Sequence, residues 1–323
     1  MPEGVDLGDP AGRRHSRTYY GRPQLKAAPF NKVLVGTYVF LAGLSGAAAL
    51  LSTLLDLTRG RASESAVRRG RYVALLAPTV GAACLIGDLH TPQRFYNMLR
   101  VFKRTSPMSF GSWLLVTFGV ASGATACGQI LSVRVQNITL RSITRVVQLI
   151  SSIAGCGMAT YTASLLSATS TPLWAAAPRA LAVRFGAASV AAAAAAMSLG
   201  QRHSQTDRDL DAVAIAALTA ELAATLAAEG QYRKAGVTAA SDGGGTAPQL
   251  LESGVGILLP LGLHLASLMF TPRRSRLLSP TASIAILAGS FFMRCNALAA
   301  GIASASDPEV SLRFAGDASS RRP

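Results

Sequence analysis

From Val33 to Leu55 the chain carries no charged side chain. A run of that length crosses the ~30 Å hydrocarbon core of a bilayer as one helix of about 20 residues. Comparable apolar runs follow at 72–87, 110–133, 146–168, 180–199, 210–228, 250–270 and 281–302. Lipid offers the backbone no hydrogen-bonding partner, so each run must satisfy its own N–H and C=O groups as a helix. The expected fold is therefore all-α: a polytopic membrane protein with eight transmembrane helices across residues 33–302. A basic tail at 1–32 precedes them and a polar tail at 303–323 follows. The shortest run, 72–87, contains Pro78 and is expected to extend through Asp88 and Leu89 to reach crossing length, leaving 59–71 as a basic loop. A break around Ser198 to Asp211 admits a division into two four-helix bundles.

Composition removes several functional classes. Of 323 residues, 50% are hydrophobic and only 15% charged, whereas soluble domains are charged at about 25% of positions. The net charge of +15 does not point to nucleic acid, because the arginines cluster at the ends of apolar runs, where anionic lipid head groups meet them. They fall almost evenly on the two sides, so charge bias sets no orientation. The first tail lacks the apolar core of a cleavable signal peptide. Four cysteines (Cys84, Cys127, Cys156, Cys295) sit singly inside apolar runs, without the spacing that ligates an iron–sulfur cluster or zinc. Of four histidines, only His264 lies deep in a span, and a b-type haem needs two axial side chains. The chain is expected to carry no haem, no iron–sulfur cluster and no other metal.

The connector between the second and third runs, Asp88 to Trp113, is dense in charged and aromatic residues. At helical spacing Phe95, Met98, Leu99 and Phe102 share one face, with Arg94, Arg100 and Lys103 directed away from it, followed by a turn at Ser106-Pro107. This is the pattern of an amphipathic segment lying on a membrane surface. Asp88 and Arg94 can pair across His90-Thr91-Pro92 to pin it, and His90 is an imidazole that titrates near neutral pH.

The run Asp88-Leu-His-Thr-Pro-Gln-Arg-Phe, with Asn97-Met-Leu-Arg-Val-Phe-Lys and Thr105-Ser-Pro-Met-Ser-Phe-Gly-Ser-Trp, closely resembles the signature of the NrfD family. Its members are polysulfide-reductase-like integral membrane subunits of quinone-linked oxidoreductases. Three further stretches resemble family landmarks: Tyr19-Tyr-Gly-Arg-Pro-Gln-Leu-Lys, Tyr161 to Trp174, and Ala299 to Pro308. The resemblance implies a membrane subunit that binds menaquinone or ubiquinone and exchanges electrons with an iron–sulfur subunit, alongside a molybdopterin catalytic subunit, in the bacterial cytoplasmic membrane. It also implies a quinone site near Tyr161, with Asn31 as a counterpart at the start of the first span, where a family-like histidine is missing.

A quinone head group takes hydrogen bonds on its two carbonyl oxygens, and its redox chemistry needs a proton partner, so Tyr161, Tyr38, His90 and Asn31 are suitable types. Each tyrosine has an ordinary alternative, an interhelical hydrogen bond. Asp88, Arg94, Arg100, Lys103, Arg104 and Trp113 form the connector surface. Of these, Arg100, Lys103 and Arg104 suit either docking of an iron–sulfur partner by charge complementarity or contact with lipid head groups. Ionisable groups inside spans cost about 2.5–3.5 kcal/mol each on insertion scales, which singles out Glu221, Arg294 and His264, with Asp56 nearer an interface. They form either a proton path or a packing ion pair. If they line a path for protons or solutes, the chain is a transporter; a passive anchor is the third reading.

Overall fold

A computed structural model describes residues 25, 26, 28, 30–89, 91–100, 102–103, 105–135, 137–199, 205–237, 254–269, 272–312 and 314. Within them the chain is helical, without a strand. The helices are α1 (Lys32–Thr58), α2 (Glu64–Gly87), α3 (Pro107–Arg134), α4 (Ile138–Ser167), α5 (Pro172–Ala176), α6 (Pro178–Ser198), α7 (Gln205–Lys234), α8 (Leu259–Met269) and α9 (Pro272–Ser306). Seven are long and apolar enough to cross a membrane, and the eighth expected span survives as a shorter apolar helix, Gly254–Ala266, that opens with a π-helical turn. Residues 250–253 and 270 of that span, most of the first tail, and residues 313 and 315–323 of the second lie outside the described residues.

Helix starts follow the local chemistry. Asn31 caps α1, its side-chain oxygen accepting from the Val33 and Leu34 amides. Asn137 caps α4 in the same way through the Thr139 amide. Pro107, Pro172 and Pro178 open α3, α5 and α6, where a missing N–H costs nothing because the first turn has no acceptor for it.

The second helix departs from expectation. It begins at Glu64 and ends at Gly87, with Asp88 as its C-cap. Crossing length is gained at the start rather than through Asp88 and Leu89, so Arg68, Arg69 and Arg71 are helical. Arg69 donates to the Leu199 carbonyl, while Arg71 finds Asp56, Gln129 and Gln148. With partners waiting on other helices, these cations need not unwind the chain.

Contacts arrange the long helices as two four-membered rings. In the first, α1 packs on α2 and α4, and α3 closes the ring between them; in the second, α6, α7, α8 and α9 meet in order. The rings join where α1 and α4 meet α6 and where α1 meets α9. Alanine-rich α6 occupies this junction with Ala191 to Ala195 fully enclosed. Small side chains suit that place, since in lipid they let helix backbones approach closely. Large apolar residues such as Leu76, Val80, Val120, Ile130, Ile153, Val183 and Leu226 point outward, presenting the continuous apolar surface expected against lipid. The protein is a multi-pass membrane protein.

Candidate functional site

The connector, Tyr161 to Trp174 and Ala299 to Pro308 come to one end of the bundle, where α1 begins, α2 ends, α3 begins, α4 ends and α9 ends; of Tyr19 to Lys26 all but residues 25 and 26 lie outside the described residues. The connector is a 3-10 helix over Pro92–Leu99 rather than an α-helical turn. It leaves Phe95, Tyr96 and Phe102 exposed, with Met98 and Leu99 half-buried. Pro92 opens it, and near Ser106 the Lys103 amide donates to Ser109 Oγ (3.0 Å) while Ser106 caps α3. Phe102 packs edge-on against Trp113, with ring centres 6.2 Å apart.

Asp88 takes a different partner from the one expected. Its Oδ1 accepts from the Asn31 amide at 2.9 Å, and among the described residues no Asp88–Arg94 ion pair forms. Asp88 therefore ties the connector to the start of α1 through a backbone N–H. Asn31 spends its own side-chain oxygen on capping α1, which leaves it a positioning role here. His90 and Arg104 lie outside the described residues.

Tyr161, near the end of α4, donates its hydroxyl proton to the Pro107 carbonyl (2.5 Å) and packs against Phe110. Gly111 makes room for it: a Cβ there would overlap the phenol ring. Gly111→Ala is accordingly expected to displace the ring and break the Pro107 bond, seen as a change in Tyr161 side-chain position in a structure of the variant. A ring left in place would contradict this.

Tyr38, in α1, lies close enough to Tyr161 for the two hydroxyls to act on each other electrostatically. It is buried (9% exposed), yet its hydroxyl has no hydrogen-bond partner among the described residues. Of the two tyrosines, Tyr161 makes the interhelical bond, and Tyr38 keeps its donor.

Two other landmarks close on each other nearby. The Trp174 indole N–H donates to the Ala297 carbonyl (2.8 Å), and its ring lies where a Cβ on Gly301 would stand. Trp174 is thus enclosed against α9, where glycine opens the slot.

The intramembrane charges separate into three groups. Arg294 (1% exposed) is held by Ser290, Ser189 and the Phe185 carbonyl, with Glu221 acting on it electrostatically. His264 Nδ1 stands 3.6 Å from Asp211 Oδ1, which accepts a hydrogen bond from Ser279. Asp56 lies within 3.5 Å of Arg71 and 3.4 Å of Arg145. Sequence reasoning missed Asp211, Arg71, Gln129 and Gln148 as partners, since each is defined only by packing between helices. Among the described residues, no group of His, Cys, Asp and Glu is arranged to hold a metal.

A family model described as polysulphide reductase, NrfD, matches residues 24–305, nearly the whole chain. The chain belongs to the NrfD family. Among curated proteins no sequence matches it. NrfD proteins are membrane subunits of quinone-linked oxidoreductases that associate with partner subunits, and the end of the bundle where the NrfD landmarks converge is the candidate site of this one.

Proposed function

We propose that this NrfD protein binds menaquinone or ubiquinone beneath the connector, in the bacterial cytoplasmic membrane. In this reading it exchanges electrons with an iron–sulfur subunit, itself coupled to a molybdopterin subunit. The observation that carries the reading is the uncommitted hydroxyl of buried Tyr38 on α1, which packs on the helix that carries Tyr161, at the end of the bundle where the landmarks meet. A quinone carbonyl supplies the acceptor that Tyr38 lacks. Tyr161 keeps acceptor lone pairs while donating to Pro107, so the two phenols offer opposite polarity to the two redox forms of the head group. The bound quinone would supply the two-electron chemistry. Exposed Phe95, Tyr96 and Phe102 would lie at head-group depth, where aromatic residues prefer to sit. Arg100 and Lys103 then face an acidic partner surface or lipid phosphates.

Quinone-linked turnover of the purified complex tests this. Tyr38→Phe removes one hydrogen bond and keeps the ring, so a loss of about 1–1.5 kcal/mol and a fall of about tenfold are expected. Tyr161→Phe should also lower turnover, because the ring then loses its anchor on Pro107. Wild-type turnover in both variants would leave the protein as a passive anchor.

A further inference from the structure

On the axis of the first ring, toward the end opposite the connector, lies a small enclosed cavity to which all four helices contribute. Its polar lining is Ser52 from α1, Arg71 from α2, Ser122 and Thr125 from α3, and Gln148 and Ser151 from α4. The space is close to the least that holds one water.

The donors around it do not balance. Arg71 gives Nη1–H to Gln129 Oε1 (2.9 Å) and Nη2–H to Gln148 Oε1 and, at 3.5 Å, to Asp56. Arg71 Nε and Gln148 Nε2 remain buried without any acceptor, although Gln148 is only 3% exposed. The bond from Arg71 fixes which end of the Gln148 amide is oxygen, so two N–H groups are left over on Nε2. Unsatisfied buried donors cost about 1–3 kcal/mol each, which calls for an acceptor. The Ser52, Ser122 and Thr125 hydroxyls donate to carbonyls on their own helices, leaving lone pairs that can receive a proton. A ligand accepting from two nitrogens and donating to hydroxyls is water; a halide offers no donors and needs more room.

We infer that the first ring binds an internal water between Arg71 Nε and Gln148 Nε2. On the face away from the connector a polar run continues from Arg71 to Asp56 and from Asp56 to Arg145, which is well exposed. Toward the connector it stops: Phe118 lies one turn along α3 from Ser122 and Met158 two turns along α4 from Ser151, and both are fully enclosed. The water so placed lies on the axis of the ring, and the apolar layer of Phe118 and Met158 separates it from Tyr161. The inference stands without a quinone on the far side.

A structure of the full chain in lipid nanodiscs, resolved finely enough to show waters and prepared with bromide as the only halide, decides it. Expected is one water peak at about 2.7–3.2 Å from both nitrogens. A dry cavity, or anomalous bromide signal in it, would overturn the assignment. Gln148→Leu removes one donor and fills space with apolar atoms, so the peak should vanish while Arg71 stays beside Asp56. A peak persisting at full occupancy in that variant would remove Gln148 as a ligand and sink the site as drawn.

Discussion

Gly46→Val is expected to pry α1 from α4 and lower the stability of the whole membrane domain. The two helices touch backbone to backbone: a Cβ on Gly46 would overlap the Gly155 carbonyl oxygen, and one on Gly155 would stand 2.6 Å from the Gly46 oxygen. A side-chain neighbour can rotate aside, but a carbonyl inside a helix cannot without breaking its own ladder. Overpacking costs about 1–3 kcal/mol where neighbours can adjust, so the upper end or beyond is expected here. The damage should spread, because α1 packs on α2 and α4 in one ring and on α6 and α9 of the other. Thermal unfolding in detergent is the measurement, with Gly119→Ala as control. Nothing lies within 4 Å of a Cβ on Gly119, and replacing a helical glycine by alanine gains about 0.5–1 kcal/mol. A Gly46→Val protein as stable as the wild type would mean that α1 and α4 are not in backbone contact.

What the sequence shows well is whatever depends on composition along one helix. Apolar runs locate the spans, and the connector's aromatic and basic residues locate the end of the bundle where the landmarks meet. What it hides is whatever depends on a backbone partner. Asp88 looked toward Arg94, a residue with a visible charge, and found the Asn31 amide; Tyr161 found the Pro107 carbonyl. Every residue has an amide and a carbonyl, so such partners leave no mark in the chain. Charge misled in a different way at α2. Arg68, Arg69 and Arg71 suggested a loop because isolated cations are costly in a span, but Arg71 is neutralised in part by Asp56 and solvated by two glutamines from α3 and α4. The alanine-rich α6 reads in the sequence as one apolar span among others; that its small side chains serve the junction of the two rings shows only in the packing.

Arg294→Met is expected to destabilise the junction of the two rings by about 3–5 kcal/mol, the usual cost of removing one member of a buried charge network. Arg294 reaches from α9 to α6, donating to Ser290 Oγ (2.5 Å) and its carbonyl (2.8 Å), to Ser189 Oγ (2.7 Å) and to the Phe185 carbonyl (3.2 Å). It also lies over the Phe40 ring of α1 and the Phe185 ring. Three helices from both rings are thereby fastened to one planar cation, and Gly43 supplies the clearance, since its Cβ would stand 2.9 Å from the guanidinium. Lysine carries the same charge but lacks the fork, so Arg294→Lys should recover only part of the loss. Glu221, buried at 4% exposure and acting on Arg294 electrostatically, makes the network testable. If the two share one charge balance, Glu221→Gln combined with Arg294→Met should be less destabilised than the separate losses predict, by about 0.5–3 kcal/mol. A proton path through Arg294 predicts another result: unfolding temperatures stay near wild type, while proton movement in vesicles containing the chain alone is abolished. That outcome would transfer Arg294 from fastening helices to conducting protons, and would favour the transporter reading over the quinone-linked one.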